Sequence, residues 1–297
     1  MDKMLRNPWT IALFILPVFL VYSLIIPVPL VTSLVLSGFE WNLLAPMKFV
    51  GARNFINLFT NDFILMQAMR NTFVYLVFSI LLQLPMAFLL ANILGMDLPG
   101  RNAFRTILYM PVTFSGVAVS LIWYFFYHPS IGLLNQLIRL IGFPDFHLAW
   151  LGKESTALGA VIVSVAWQWT GYHMVLYLSG MASIPDEVIE SARIDGANAL
   201  QLSRHIIFPF LLPMLSVSTV LITTSSLKSF DSIYIMTDGG PNHATEVLAS
   251  HMYVKSFAQL KYGYGSAIGV LLFILCIIAT VIIRRTYKAL GEEDFEE

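Results

Sequence analysis

One segment of the sequence carries polar side chains at helical spacing within an otherwise apolar run. Steps of four, four and seven residues separate its polar members, which are Ser164, Gln168, Tyr172 and Ser179. On an α-helix this spacing places them on one face, and Trp167 and Trp169 flank them. A glutamine amide offers hydrogen-bond donors and an acceptor, and an aromatic ring offers an apolar face for stacking. The segment therefore predicts a face that could contact a neutral polar solute.

Small hydroxyl side chains crowd a later apolar segment. They are Ser216, Ser218, Thr219, Thr223, Thr224, Ser225, Ser226 and Ser229. As a set facing Gln168 and Tyr172 they would form a neutral polar path. Small hydroxyl residues are also favoured in tight contacts between membrane helices. For any single one of these residues helix packing is the better interpretation, whereas the set as a whole fits a polar path. Both interpretations therefore stay open.

Several kinds of chemistry lack the residues they need. The only Gly-Lys pair, Gly152-Lys153, precedes Glu154 and has His147 where a phosphate-binding loop needs its first glycine. Cys276 is the single cysteine, and the six histidines form no HxxxH pair. The net charge of −1 supplies no basic field for nucleic acid. We therefore predict no catalytic residue, metal site or cofactor in this chain, and no nucleic-acid partner.

The composition is that of a membrane protein. Hydrophobic residues make up 57% of the chain and charged residues only 12%, whereas soluble domains have roughly 25% charged residues. A helix needs about 20 apolar residues to cross the hydrocarbon layer. Six such runs predict transmembrane helices near 9–36, 71–94, 106–127, 157–180, 206–227 and 263–283.

The predicted spans contain no Asp, Glu, Lys or Arg, and His173 is the one plausible titrating group well inside them. Ion-driven carriers usually place ionisable groups within their helices, because coupling requires a charge that is loaded and released. The chain is therefore expected to lack its own energy source. Two alternatives remain, a self-contained secondary carrier or channel for a small neutral solute and an intramembrane enzyme. ATP-independent solute uptake by the isolated chain would identify the carrier or channel. Turnover of a lipid or glycan by the isolated chain would identify the enzyme.

Lysine and arginine indicate the orientation of the chain. Their density is higher in the segments that share a side with the N-terminus, and Arg284-Arg285 directly follows the last span. Because positive residues favour the cytoplasmic side, we predict a multi-pass protein of the cytoplasmic membrane of a prokaryote, with both termini in the cytoplasm.

The loop between the fourth and fifth spans, residues 183–205, has the pattern of two short helices. Ser183 and Asp186 have capping-box spacing, and Pro185 suits a first helical turn. Gly196 is placed to end the first helix in a left-handed conformation. We predict a compact knob that projects from the membrane and is broken at Gly196.

Docking residues on this knob are suggested by size and charge. Small side chains at Ala192 and Ala197 would permit close approach of a partner. The charges of Glu190, Arg193 and Asp195 could orient that partner through ion pairs.

The knob resembles the EAA motif of permease subunits in type I ATP-binding-cassette importers. Glu190-Ser191-Ala192 is followed by Asp195-Gly196-Ala197, with Ile206 and Pro209 at the motif's distances. Ser191 stands where alanine is commonest, and Leu200 and Ser203 stand where bulky aromatic residues are frequent. The helix–glycine–helix pattern is intact despite these departures.

Two outer segments resemble the carbohydrate branch of that family, which includes maltose-, raffinose- and glycerol-phosphate-type permeases. They are Gly51–Phe55 with Arg70-Asn71-Thr72, and Phe230–Pro241 followed by Thr245. The resemblance implies an all-α polytopic membrane protein with six transmembrane helices and the type I importer permease fold, as a single domain over residues 1–297.

The same resemblance implies a non-catalytic subunit that works in an assembly. Its partners would be a second homologous permease, two cytoplasmic ATPase subunits that bind ATP and magnesium, an external sugar-binding protein and membrane lipid. The knob would couple ATPase closure to helix movement through Glu190, Ala192, Arg193, Asp195, Gly196 and Ala197. The solute would be a sugar or oligosaccharide. The implied substrate pathway comprises Gln168, Trp169, Tyr172, Thr219, Ile222, Ser225, Ser226 and Ser229.

Overall fold

The computed structural model describes residues 8–96 and 99–291, with side chains from Ile11 onward. Most described residues are helical, which confirms the all-α prediction. The strands within these ranges are β1 (Phe39–Glu40) and β2 (Lys48–Phe49), an antiparallel pair with Phe39 opposite Phe49. Both chain termini, whose cytoplasmic location is predicted, lie outside the described residues.

The described chain divides into two compact units, a finer division than the single predicted domain. The first unit contains the residues up to Asp62 and Met252–Leu271. Its N-terminal helices are α1 (Pro8–Ile25), α2 (Pro27–Leu36) and α3 (Arg53–Thr60). Asn54 anchors α3, because its side-chain Nδ2 donates to Ser37 O at 2.8 Å and to Phe39 O at 2.9 Å.

The second unit contains Phe63–His251 and the chain from Leu272 onward. Its helices are α4 (Phe63–Gly95), α5 (Arg101–Tyr109), α6 (Gly116–Phe126), α7 (Leu133–Leu140), α8 (Glu154–Met181), α9 (Asp186–Ile194), α10 (Ala199–Leu202), α11 (Phe208–Phe210), α12 (Leu212–Leu227) and α13 (Asp231–Met236). Each unit contains part of α14 (Leu248–Tyr253) and of α15 (Tyr262–Ala289). Short 3₁₀ or π segments occupy Met110–Thr113, Ser203–Ile207 and Val254–Ala258.

The count of six spans is not confirmed. Three helical stretches among the described residues are long and apolar enough to cross a membrane, namely Ile11–Leu36, Phe63–Gly95 and Tyr262–Ala289. The number rises to five if two bent helix pairs are each one span. The predicted span 157–180 lies within α8, a 28-residue helix that is less apolar than those three because of its Ser, Thr, Gln and His residues.

The predicted span 106–127 is sharply bent. The stretch Arg101–Thr113 and helix α6 form an angle of 100°. Pro111 lies in the 3₁₀ turn, and Phe114 and Ser115 are extended. The Ser115 hydroxyl then accepts a hydrogen bond from Ala118 N at 3.2 Å and starts α6 as its N-cap. Sequence hydropathy does not detect such a bend, because both pieces are apolar.

The core of the second unit joins three long helices. Its buried residues are Ala87, Ala91 and Leu94 of α4, Met174 and Tyr177 of α8, Leu212 and Leu215 of α12, and the connecting residues Ile184, Ile207 and Leu211. Alanines on α4 permit close packing of the larger side chains. The helices that carry the predicted substrate pathway are therefore packed on one shared core.

Close packing at Gly171 gives a stability prediction. A methyl group on Gly171 of α8 would lie 2.0 Å from Leu108 O of α5. Because a backbone carbonyl cannot yield like a flexible side chain, we expect Gly171→Ala to lower the free energy of unfolding by about 1–3 kcal/mol. The melting temperature of the purified protein measures this loss.

Gly159 provides the matched control in the same helix. A methyl group there would have no heavy atom within 4 Å. Gly159→Ala should keep or raise stability, since alanine favours a helix interior by about 0.5–1 kcal/mol over glycine. Equal melting temperatures for the two variants would contradict this packing.

Candidate functional site

The first helix of the predicted knob, α9, ends as the sequence predicts. Gly196 has φ +84°, a left-handed conformation that glycine adopts without a Cβ penalty. Ala197 N donates to Ala192 O at 2.9 Å, and Gly196 N donates to Arg193 O at 3.1 Å. These two hydrogen bonds form a Schellman motif, which satisfies the last carbonyls of α9 and reverses the chain.

The second helix of the knob starts with a reciprocal cap. Asn198 Oδ1 accepts from Gln201 N, and Gln201 Oε1 accepts from Asn198 N, each at 2.9 Å. The capping box predicted for Ser183 and Asp186 is wrong. Pro185 is the N-cap of α9, and the Ser183 hydroxyl donates to Ser179 O at 3.3 Å. Pro185 has an extended ψ of 136°, and its carbonyl accepts a hydrogen bond from Val188 N at 3.1 Å in the first turn of α9.

The exposed surface of the knob combines charges and apolar side chains. Glu190, Arg193 and Asp195 are exposed, and none of them has an ion-pair partner within residues 8–96 and 99–291. Ile194 is 86% exposed and Leu200 is 77% exposed. This surface has the apolar and charged groups of a protein-docking site.

The opposite side of the knob is anchored. Val188, Ile189 and Leu202 pack against the core shared by α4, α8 and α12. A force on the exposed side would therefore reach the long helices through packed side chains. Sequence reasoning missed Ile194, whose only signal was an apolar residue two positions before the turn glycine.

Helices α8 and α12 run antiparallel in a defined register. His173 Nδ1 and Ser218 Oγ are 3.1 Å apart, and a methyl group on Gly180 would lie 2.9 Å from Met214 Cγ. Moving toward the start of α8 thus corresponds to moving toward the end of α12.

The predicted pathway residues fall into three groups by exposure. Gln168, Thr219, Ile222 and Ser226 are buried, Tyr172 and Ser229 are half-buried, and Trp169 and Ser225 are exposed. Gln168 Nε2 donates to Phe114 O at 3.1 Å, and the Thr219 hydroxyl bonds Leu215 O and Tyr287 OH. The buried Gln168 and Thr219 side chains thus have internal hydrogen-bond partners, whereas Trp169, Tyr172, Ser225 and Ser229 are accessible to a solute or a second chain.

A buried carboxylate organises the loop after α13. Glu246 Oε1 accepts a hydrogen bond from His251 Nδ1 at 2.9 Å, and its Oε2 contacts His243 Nδ1. Burial alone would raise the pKa of Glu246, but hydrogen bonds and charge interactions with His251 and His243 lower that pKa below its usual value. No three His, Cys, Asp or Glu side chains of the described residues form a metal-binding group.

The same loop is attached to α4. Asn71 Nδ2 donates to Glu246 O at 2.9 Å and to His243 O at 3.1 Å, and Leu248 N donates to Thr72 Oγ1 at 2.9 Å. Sequence reasoning identified the neighbouring Gly-Gly-Pro segment but missed Glu246. The only indication of Glu246 in the sequence was that it is one acidic residue in an otherwise uncharged stretch.

The lowered pKa of Glu246 predicts a pH dependence. Unfolding would return its pKa toward 4.5, so the unfolded chain binds the proton more readily. The stabilisation is therefore fully present above pH 4.5 and is lost as the pH falls through the lower folded pKa. Glu246→Gln should lower the melting temperature at neutral pH and flatten its decline in acid. The exposed Glu154→Gln variant is the control, and the same acid decline in all three proteins would contradict this prediction.

Three comparisons relate the chain to known proteins. Residues 73–290 match the model of a family described as "binding-protein-dependent transport system inner membrane component". The probable ABC transporter permease protein YurN of Bacillus subtilis is 37% identical over 284 residues, which cover 95% of this chain and 97% of YurN. The multiple sugar-binding transport system permease protein MsmF of Streptococcus mutans is 32% identical over 79% of each chain.

A solved structure has a similar fold. It is a chain of a bacterial alginate ABC transporter in complex with an alginate pentasaccharide-bound periplasmic protein. The TM-score is 0.85, the sequence identity is 22%, and the alignment covers 97% of each chain.

Proposed function

We propose that this chain passes a sugar or oligosaccharide across the cytoplasmic membrane, driven by ATP that partner subunits bind. The chain belongs to the family of binding-protein-dependent transport system inner membrane components. The chain is an ABC transporter permease. The observation that carries the coupling part of the proposal is the knob around Gly196. Its exposed charges have no ion-pair partner in the part of the chain that the structure describes, while its opposite side is packed on the helix core.

The proposed energy source is a pair of cytoplasmic ATPase subunits, which would bind ATP and magnesium. In this proposal Ile194 and the small residues Ala192 and Ala197 approach a groove on the ATPase, while Glu190, Arg193 and Asp195 orient it through ion pairs. Nucleotide-driven closure of the ATPases would move the knob as a rigid body. The helices would then shift between two packed arrangements, which is a bistable interface biased by a ligand.

The proposed partners outside the ATPases are a second homologous permease and an external sugar-binding protein. The alginate transporter provides a precedent for such a periplasmic protein. The proposed orientation has both termini and the knob in the cytoplasm, as the distribution of Lys and Arg favours. The two compact units would work as one permease domain.

The proposed solute is carbohydrate because the accessible pathway residues suit an uncharged polyol. MsmF and the alginate transporter are named for sugar substrates. The Trp169 and Tyr172 rings lie 6.2 Å apart on neighbouring turns of α8, and Ser225 adds a hydroxyl on α12. If two permeases form the path together, each chain must expose its half of the path on its own surface. The accessible residues are therefore better candidates for direct contact with the solute than the buried Gln168 and Ile222.

The pathway assignment predicts the effect of Trp169→Ala. Loss of one stacking ring should raise the solute concentration for half-maximal uptake about two- to thirteenfold, since aromatic contacts contribute about 0.5–1.5 kcal/mol. The maximal rate should change less. Trp167→Ala is the control, because Trp167 is similarly exposed but lies two residues away, on the opposite side of α8, where it packs against Trp123 with ring centroids 5.6 Å apart. A larger effect of Trp167→Ala on the half-maximal concentration would contradict the assignment.

Reconstitution tests the whole proposal. The chain should be placed in liposomes alone and together with its partner permease, ATPases and binding protein. Solute uptake and solute-stimulated ATP hydrolysis should require the complete complex. Uptake by the chain alone, driven by an ion gradient and independent of ATP, would contradict the proposal and identify a secondary carrier.

A further inference from the structure

A buried tyrosine of α8 has a hydroxyl group without a hydrogen-bond partner. Tyr177 is fully buried, and no atom in the part of the chain that the structure describes is in hydrogen-bonding geometry with its hydroxyl. Ser218 of α12 and Tyr287 of α15 lie near this hydroxyl. A buried polar group that is left unsatisfied lowers the stability of the arrangement that contains it. Phenylalanine would fill the same space without this cost.

Tyr287 attaches the end of α15 to α12. The Tyr287 and Thr219 hydroxyl oxygens are 2.8 Å apart, and the Thr219 hydroxyl donates to Leu215 O at 2.7 Å. A hydroxyl group has one proton to donate and two lone pairs that accept. Because Thr219 gives its proton to Leu215, Tyr287 is the donor to Thr219. The Tyr287 oxygen can therefore still accept a hydrogen bond, and Tyr177 has a proton to donate.

Both tyrosines belong to the core that anchors the knob. Tyr177 is part of this core, and Tyr287 packs against it, as do Val188 and Ile189 of α9. A movement of the knob therefore reaches both tyrosines through packed side chains and can change the distance between their hydroxyls. The proposed transport cycle requires two packed arrangements of the helices. The arrangement in this structure satisfies the hydroxyl of Tyr287 but not that of Tyr177.

We propose that Tyr177 and Tyr287 are positioning residues of the transport cycle, and that the Tyr177 hydroxyl donates to the Tyr287 oxygen in the second arrangement of the helices. This inference rests on the proposed ATP-driven function. The new hydrogen bond would stabilise the second arrangement and would bring α15 toward α8. The present arrangement is stabilised instead by the hydrogen bond from Tyr287 to Thr219. Neither tyrosine needs to contact the solute.

Tyr177→Phe in the complete complex tests the proposal. Its melting temperature is measured without nucleotide and after trapping with ATP and orthovanadate, two conditions that favour different arrangements in the proposed cycle. The substitution removes an unpaired hydroxyl from one arrangement and a hydrogen bond from the other. It should therefore raise the melting temperature by about 2 °C under one condition and lower it by a similar amount under the other. Any other pattern would overturn the proposal.

Tyr127→Phe is the matched control for these melting temperatures. Tyr127 is also a buried tyrosine, but its hydroxyl already donates to Ala160 O at 3.1 Å. The control should lower the melting temperature under both conditions, because it removes a satisfied hydroxyl. A change of sign in the control as well would contradict the assignment of the effect to Tyr177.

Uptake kinetics identify the partner of Tyr177. Tyr177→Phe should lower the maximal uptake rate about fivefold, the effect of one net hydrogen bond, and should leave the half-maximal solute concentration unchanged. The loss should disappear in a Tyr287→Phe background and persist in a Ser218→Ala background, since only interacting residues are coupled.

Two kinetic results would overturn the proposal. One is a loss that persists in the Tyr287→Phe background, and the other is a raised half-maximal concentration, which would make Tyr177 a solute contact. ATP-dependent uptake by the parent complex is measured in the same preparation. A failure of the tyrosine pair alone would leave that uptake intact, whereas a failure of the proposed function would abolish it.

Discussion

Replacing Gly196 with proline is expected to lower ATP-dependent uptake by the complete complex about 100-fold, since a misplaced proline costs about 3 kcal/mol or more. Proline requires a φ near −65°, whereas Gly196 has φ +84°. The variant also loses the N–H that donates to Arg193 O at 3.1 Å. The Schellman motif would open, and α9 and α10 would no longer form one rigid knob. Uptake and ATP hydrolysis in proteoliposomes measure the loss of coupling.

A graded series separates coupling from misfolding. Asparagine tolerates the left-handed conformation, so Gly196→Asn should transport nearly as well as the parent chain. Alanine costs roughly 1–2 kcal/mol in that conformation, so Gly196→Ala should be intermediate. Membrane abundance and complex assembly are measured for each variant. An assembled Gly196→Pro complex with undiminished uptake would refute the rigid-knob mechanism.

Changing Ile194 to aspartate is expected to weaken binding of the ATPase subunits by about 2 kcal/mol or more, a roughly 30-fold loss. Ile194 ends α9 and is 86% exposed. Burial of this side chain in a partner groove would stabilise the complex, whereas a buried carboxylate without a partner would oppose it. Co-purification and titration of ATPase onto the reconstituted permease measure the affinity.

Leu140→Asp is the matched control for that substitution. Leu140 ends the eight-residue helix α7 and is 81% exposed, but it lies outside the knob. The control should leave the affinity for the ATPase unchanged. If both variants bind the ATPase like the parent chain, Ile194 is not part of the docking surface.

Hydropathy predicted where the helices are but not their bends. The apolar runs near 71–94 and 263–283 lie within the continuous helices α4 and α15. The run at 106–127 contains a 100° bend, and the segment before α12 meets it at 70°. Apolar composition is the same on both sides of a bend, so the sequence signal came only from Pro111, Gly116, Pro209 and Pro213.

The sequence predicted the backbone turn of the knob better than it predicted which pathway residues are exposed. A left-handed turn after α9 follows from the position of Gly196 alone, because few residues other than glycine adopt that conformation. The rotation of α8 relative to α12 decides instead which pathway residues are exposed and which are buried. Trp169 and Ser225 are exposed, and Gln168 and Ile222 are buried. That rotation is set by the His173–Ser218 contact and by close packing at Gly180, which helical spacing cannot provide. The roles of all these residues remain predictions.

Cross-linking at the exposed side of the knob tests the central claim most directly. Leu200→Cys is placed in a Cys276→Ala background, assembled with the partner subunits in membranes and treated with a short cysteine-to-lysine cross-linker. Leu140→Cys in the same background is the comparison. The account predicts a cross-link from position 200 to an ATPase subunit in a complex that transports solute, and no such product from position 140. A transporting complex in which position 200 reacts freely with solvent reagents and never cross-links to the ATPase would contradict it.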